Sequence, residues 1–143
     1  MSSSIESTLN QMDLQPGEHL VDGRTIRQAL APQQANPQLT ALAGGGAPGA
    51  TQLGQGINNV AICATTGDSL LLPVALQGMM VIVINNGAQS AYVYPAQSNP
   101  QNAASAADVI VPIGGSTASD SVVAANAIAS FFCYKPGSWK ATV

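Results

Sequence analysis

The sequence predicts an all-β protein: an antiparallel β-sandwich or jelly-roll-like domain preceded by an extended N-terminal arm. From residue 51 onward, short apolar runs are separated by turn residues about every 8 to 12 positions, a spacing typical of sandwiches and barrels. Asn85–Gly87 and Lys135–Ser138 supply turn residues, since Asn and Gly accept the positive φ of tight turns. Residues 1–40 are instead rich in Gln, Ser and Pro, with apolar residues too scattered to form a core.

The N-terminal part contains one segment with local structure signals. In His19–Arg27 an Asp-Gly pair lies between alternating residues, which favours a small hairpin. A helix capped by Asp22 and running through Leu30 is the competing interpretation. Gly44–Gly49 follows, and its backbone freedom indicates a linker. We therefore expect two parts: residues 1–50 as arm and linker, and residues 51–143 as the β-domain.

Eight strands are expected within the domain, and one of them has an unusual pattern. They are Asn59–Ala64, Ser69–Pro73, Met79–Asn85, Ala91–Ala96, Asp108–Ile113, Ser121–Ala124, Ala127–Tyr134 and Trp139–Thr142. The third is apolar on both faces, so we expect a cover on both sides, one of them another subunit. The predicted oligomer interface consists of Met79, Val81 and Val83.

Charge and hydropathy exclude several partners. The chain of 143 residues has room for one domain, and only 8% of its residues are charged. Four Lys and Arg residues against seven Asp and Glu residues give a net charge of −3. The protein therefore lacks the basic surface that binds nucleic acid. The most apolar stretch, Leu70–Ile84, is shorter than the roughly 20 residues of a membrane-spanning helix. We expect no nucleic-acid or membrane partner.

Candidate catalytic and metal-binding groups are scarce. Residues 51–143 contain no His or Glu and three Asp, a poor set for proton transfer. His19 stands alone in the arm, whereas a metal site needs three or four converging ligands. The sequence therefore predicts no enzyme, no catalytic residue, no metal and no cofactor. Cys63 and Cys133 lie in apolar runs and are interpreted as buried thiols, with a disulfide as the alternative.

Three aromatic residues are candidates for glycan contact: Tyr92, Tyr94 and Trp139. Aromatic faces with amide neighbours suit sugar stacking. Alternatively, Tyr92 and Tyr94 share a strand face and complete the hydrophobic core with Trp139.

Several turn and strand motifs together resemble a known group of proteins. They are Asn58–Val60, Gly67–Pro73, Gly78–Gly87, Val93–Ala96 and Gly137–Trp139. Over about residues 55–143 the chain resembles small structural proteins of tailed bacteriophages, of the head decoration, head-fibre or tail-associated type. The resemblance implies a compact β-domain and a place in the virion.

The function expected on this basis is that of a capsid decoration, or cement, protein. It would lie on the capsid exterior after synthesis in the host cytoplasm, since no export signal precedes Arg24. It would act as a homo-oligomer, expected to be trimeric, that stabilises the head by bridging major capsid protein subunits with its arm. The candidate capsid contacts are Leu14, His19, Leu20, Asp22, Arg24, Ile26 and Arg27.

Two other functions remain open. One is a head-fibre or tail component with a projecting, glycan-binding β-domain, and the other is an unrelated carbohydrate-binding or adhesin module. Desolvating an unpaired ion at an interface costs several kcal/mol. The small number of charged residues therefore favours a protein whose surface is largely covered by other proteins, both for a capsid decoration protein and for a head-fibre or tail component.

Overall fold

A computed structural model describes residues 36–102 and 105–143, all within one compact unit, Gln33–Val143. The expected hairpin at His19–Arg27 and all seven candidate capsid contacts lie outside the described residues. The described part is nearly all β and contains no α-helix. Its strands are β1 (Asn36–Thr40), β2 (Thr51–Gln52), β3 (Gly56–Ile62), β4 (Asp68–Leu71), β5 (Met80–Asn85), β6 (Ala91–Tyr94), β7 (Val109–Pro112), β8 (Ser121–Val123), β9 (Ala127–Lys135) and β10 (Ser138–Thr142).

The chain alternates between two mixed sheets. One has six strands in the order β1-β3-β5-β9-β10-β7, and the other has four in the order β2-β4-β6-β8. Neighbours β1, β3 and β5 are parallel, as are β2, β4 and β6. The pairs β5–β9, β9–β10 and β6–β8 are antiparallel, while β7 is parallel to β10. From β1 to β6, each passage between the sheets adds one strand, which gives a β-solenoid-like stack.

The all-β prediction is confirmed, whereas the antiparallel sandwich or jelly-roll arrangement is not. All eight expected strands are present with shifted ends. The antiparallel expectation is wrong for the first six strands because their connections cross between sheets. Parallel neighbours need such crossovers, whereas antiparallel neighbours join through short hairpins.

Strands β1 and β2 were not expected. Strand β1 contains Pro37 and, among the strands that the structure describes, pairs only with β3, at the edge of its sheet, which is where proline is tolerated in a strand. The residues interpreted as a linker, Gly44–Gly49, connect β1 in one sheet to β2 in the other. The sheets thus begin before Thr51.

The two expected turns differ in what they join. Lys135–Ser138 closes an antiparallel hairpin between β9 and β10, with Gly137 at φ 77°. Asn85–Gly87 instead leads from one sheet to the other. A Cβ on Gly87 would lie 2.5 Å from the Cys63 Cβ and backbone nitrogen, so close packing requires glycine there.

One hydrophobic core takes side chains from both sheets. Its largest buried members are Trp139, Phe131, Leu53, Leu70, Leu72 and Ile110. Alternation along the strands decides which side chains enter it: in β9, Ala129 and Phe131 are buried while Ile128 and Phe132 are exposed. Within residues 36–102 and 105–143, no helix is long and apolar enough to cross a bilayer.

Candidate interaction faces

The outer face of the six-stranded sheet carries a band of large apolar side chains on β3, β5 and β9. Cross-strand pairing places Met80 opposite Phe132 and Ile84 opposite Ile128. Exposure is 63% for Ile128, 42% for Phe132 and 38% for Met80. We call this band the outer apolar face: Ile57, Met80, Ile82, Ile84, Ile128 and Phe132.

The polar side chains within this face are uncharged. Asn59 lies opposite Ile84, and Ser130 lies opposite Ile82. Positive charge begins at the border, with Lys135 at the end of β9 and Lys140 on β10, opposite Phe132. The face can therefore be covered by protein without desolvating an ion at its centre.

The structure corrects the position of the predicted oligomer interface. Val81 and Val83 are fully buried in the core of the single chain, and Met79 precedes β5 and packs against that core. The side chains of β5 that point outward are those of Met80, Ile82 and Ile84. The sequence showed that β5 is apolar on both sides, but it did not show which side faces the partner strands of the other sheet.

The aromatic candidates for glycan contact are separated. Tyr92 and Tyr94 lie on the outer face of the four-stranded sheet and are partly exposed. Tyr92 is paired with Val122 of β8, and Tyr94 with Leu71 of β4. Trp139 belongs to the other sheet and is fully buried, so the core interpretation is right for Trp139.

The buried carboxylate of Asp68 shapes the turn before β4. Its Oδ2 accepts hydrogen bonds from the backbone N–H groups of Ala64 at 2.9 Å and Thr65 at 3.0 Å. Asp68 itself is 2% exposed. Its contacts thus fix the loop conformation between β3 and β4.

Asp108 is equally buried and joins two loop segments. Its Oδ2 accepts a hydrogen bond from the Ala75 backbone N–H at 2.7 Å. Its Oδ1 accepts from Asn99 Nδ2 at 2.6 Å and from Asn102 Nδ2 at 3.1 Å. Asn99 Nδ2 also donates to the Ala75 carbonyl at 3.3 Å. This network holds the long connection between β6 and β7 against the loop that precedes β5.

Cys63 and Cys133 are both buried free thiols, so the disulfide alternative is excluded. Burial raises the pKa of the Cys63 thiol, and the negative charge of Asp68 raises it further. Burial is also the main cause of the raised pKa of Cys133. Both side chains therefore favour the protonated form and pack as small hydrophobic groups. Among the described residues, no group of three or more His, Cys, Asp or Glu has an arrangement that could hold a metal ion.

Comparison with known proteins gives no relative: no family model matches the chain, and no curated protein or solved structure does. The resemblance to bacteriophage structural proteins therefore depends on the sequence motifs alone.

Proposed function

We propose that this chain is a non-enzymatic structural protein of a tailed-bacteriophage virion. In this proposal it is a capsid decoration, or cement, protein on the outside of the head, where it stabilises the shell as a homo-oligomer, expected to be trimeric. Its N-terminal residues bridge subunits of the major capsid protein. The observation that carries the proposal is the outer apolar face, which has large exposed side chains and no charge at its centre.

The energetics of this face favour a covered state. Fully burying a completely exposed large apolar side chain contributes roughly 1.5–3 kcal/mol. Because Ile128, Phe132 and Met80 are 63%, 42% and 38% exposed, covering these three contributes about 2–4 kcal/mol, and the half-buried isoleucines of the face add less. Contiguous exposed apolar patches mark interaction sites in soluble proteins. The neutral amide of Asn59 and hydroxyl of Ser130 add little desolvation cost compared with charged groups.

The roles of the buried acids support a scaffold. Asp68 and Asp108 are both engaged by backbone or amide donors, in positions that fix loops. We also propose that the two sheets pack face to face as a sandwich, because one core cluster contains side chains from both.

Shell binding by a truncated protein tests the role of the arm. Deleting residues 1–35 leaves β1 intact, so the β-domain should stay folded and oligomeric while losing affinity for purified capsid shells. Cosedimentation with shells measures the affinity, and the full chain is the control. Undiminished binding by the truncated protein would contradict the bridging role of the arm.

A head-fibre or tail component is the second candidate function. It is favoured by Tyr92 and Tyr94, whose partly exposed side chains share the outer face of the four-stranded sheet. Exposed aromatic rings suit the stacking of sugars. A glycan array would show binding that disappears in Tyr92→Ala/Tyr94→Ala with unchanged melting temperature. Tyr134→Ala, an exposed tyrosine of the other sheet, is the matched control.

A further inference from the structure

We propose that Asn86 is a deamidation site that becomes reactive only when the loop between β5 and β6 opens. Asn86 and Gly87 form the single Asn-Gly pair of the sequence. This pair is the most reactive one for deamidation, because glycine has no side chain to hinder attack by its own amide nitrogen. The inference goes beyond the proposed function and does not depend on it.

The reaction requires groups of the two neighbouring residues to meet. Hydroxide removes the proton from the Gly87 amide nitrogen, which then attacks Cγ of the Asn86 side chain. The new C–N bond closes a succinimide ring. The side-chain nitrogen leaves as ammonia after taking a proton from water, which regenerates the hydroxide. A water molecule then opens the ring and leaves either aspartate or isoaspartate, so water is the one co-reactant consumed.

The folded chain withholds the attacking nitrogen. The Gly87 N–H donates to Asn85 Oδ1 at 2.9 Å, and this hydrogen bond is buried. Asn85 is itself fully buried, and its Nδ2 donates to the Gln89 carbonyl at 2.9 Å. The same Nδ2 donates to the carbonyls of Val123 and Ala124 at 3.0 and 3.1 Å. Because the acceptor is fixed in this way, hydroxide reaches the Gly87 proton only after the loop has opened.

The folded chain also holds the side chain that would be attacked. Asn86 Nδ2 donates to Asn59 Oδ1 of β3 at 2.7 Å, and the Asn86 backbone N–H donates to the Val60 carbonyl at 2.9 Å. Asn86 is exposed, so water has access to its side chain. Ring closure expels the Nδ2 nitrogen and therefore gives up its hydrogen bond with Asn59. Exposure alone thus does not make the pair reactive.

Modification would prevent the loop from closing again. Isoaspartate adds one atom to the main chain between the Asn86 N–H, which is bonded to Val60, and Gly87. A Cβ on Gly87 would lie 2.5 Å from the Cys63 Cβ and backbone nitrogen, so the chain has no room to shift there. Deamidation therefore converts a transient opening into a lasting change at a crossing between the two sheets.

Peptide mass spectrometry on the full chain tests the proposal. The protein is kept at mildly alkaline pH, either folded or unfolded in guanidinium chloride, and isoaspartate at position 86 is measured over time. We expect the folded protein to react at least about 100-fold more slowly than the unfolded chain, because the reaction waits for local opening. Asn86→Gln is the control: its longer side chain closes a larger ring more slowly, so its unfolded chain should stay largely intact at this position.

Hydrogen exchange of the Gly87 amide gives an independent measurement on the unmodified protein. The factor by which folding slows exchange should agree within about tenfold with the factor by which it slows deamidation, because one opening exposes the same N–H group to both reactions. Equal deamidation rates in the folded and unfolded protein, or a Gly87 amide that exchanges without protection, would overturn the inference. An unfolded chain without isoaspartate at position 86, or a larger disagreement between the two factors, would overturn it as well.

Discussion

Replacing Asp108 by Asn removes one of the two acceptor oxygens that join the β6–β7 connection to the loop before β5, while preserving side-chain shape. The carboxylate accepts hydrogen bonds from the Ala75 backbone N–H and from the amides of Asn99 and Asn102. An asparagine offers one acceptor oxygen, so its own NH₂ group must face at least one of these donors. In a residue that is 2% exposed, water has little access to the unpaired group.

The expected cost follows from these contacts. One buried donor without a partner costs about 1–3 kcal/mol, and the remaining hydrogen bonds lose the strength that a charged acceptor gives. We expect the free energy of unfolding to fall by about 2–4 kcal/mol, and the melting temperature to fall by roughly 10–20 °C for a domain of this size.

Urea unfolding followed by fluorescence measures this change. The chain contains a single tryptophan, Trp139, which is fully buried and reports on exposure of the core. Asp120→Asn is the control: Asp120 is partly exposed, and we expect a change within about 0.5 kcal/mol. A stability of Asp108→Asn equal to that of the wild type would refute the structural role assigned to this carboxylate.

Two further perturbations test the turn geometry and the buried thiols. In Gly137→Ala the new methyl group would overlap the Asn102 amide, and the residue would also have a positive φ. Gly114 has a similar φ but open space around it, so we expect Gly114→Ala to lower the free energy of unfolding by roughly 1–2 kcal/mol. Calorimetry should show a larger decrease for Gly137→Ala than for Gly114→Ala. Burial raises the thiol pKa of Cys63 and Cys133, so the folded state retains protons that the unfolded chain releases. The free energy of unfolding should therefore be unaffected by the thiols below their ordinary pKa and should decline as pH rises above it. The double variant Cys63→Ala/Cys133→Ala has no thiol. If its free energy of unfolding declined in the same way at alkaline pH, this explanation would be contradicted.

The strands were predictable from sequence because short apolar runs and turn residues mark them directly. Their connectivity was not, since an apolar run has the same pattern whether its neighbour is parallel or antiparallel. Asn85–Gly87 illustrates this: its composition indicates a tight turn, yet Gly87 is required by contact with Cys63 at a crossing between sheets. Strand β1 was missed because it contains Pro37 and follows a polar segment, and pairing with β3 stabilises it despite these residues.

The candidate sites depended on information that a linear pattern does not contain. Residues two apart share a strand face, which correctly grouped Tyr92 with Tyr94. Whether a face points into the core depends on the opposing sheet, so Trp139 was placed with a surface platform as one alternative and Val83 was assigned to an interface. The alternation of Ile128 and Phe132 was visible in the sequence, but only cross-strand register places Met80 beside Phe132.

A three-dimensional reconstruction of the virus particle tests most directly whether this polypeptide functions as a covered component of a larger shell. We expect density for many symmetry-related copies on the head exterior, with their outer apolar faces covered by protein and their N-terminal segments crossing capsid subunit boundaries. Particles that lack the protein altogether, or copies whose outer apolar faces all remain open to solvent, would contradict the account.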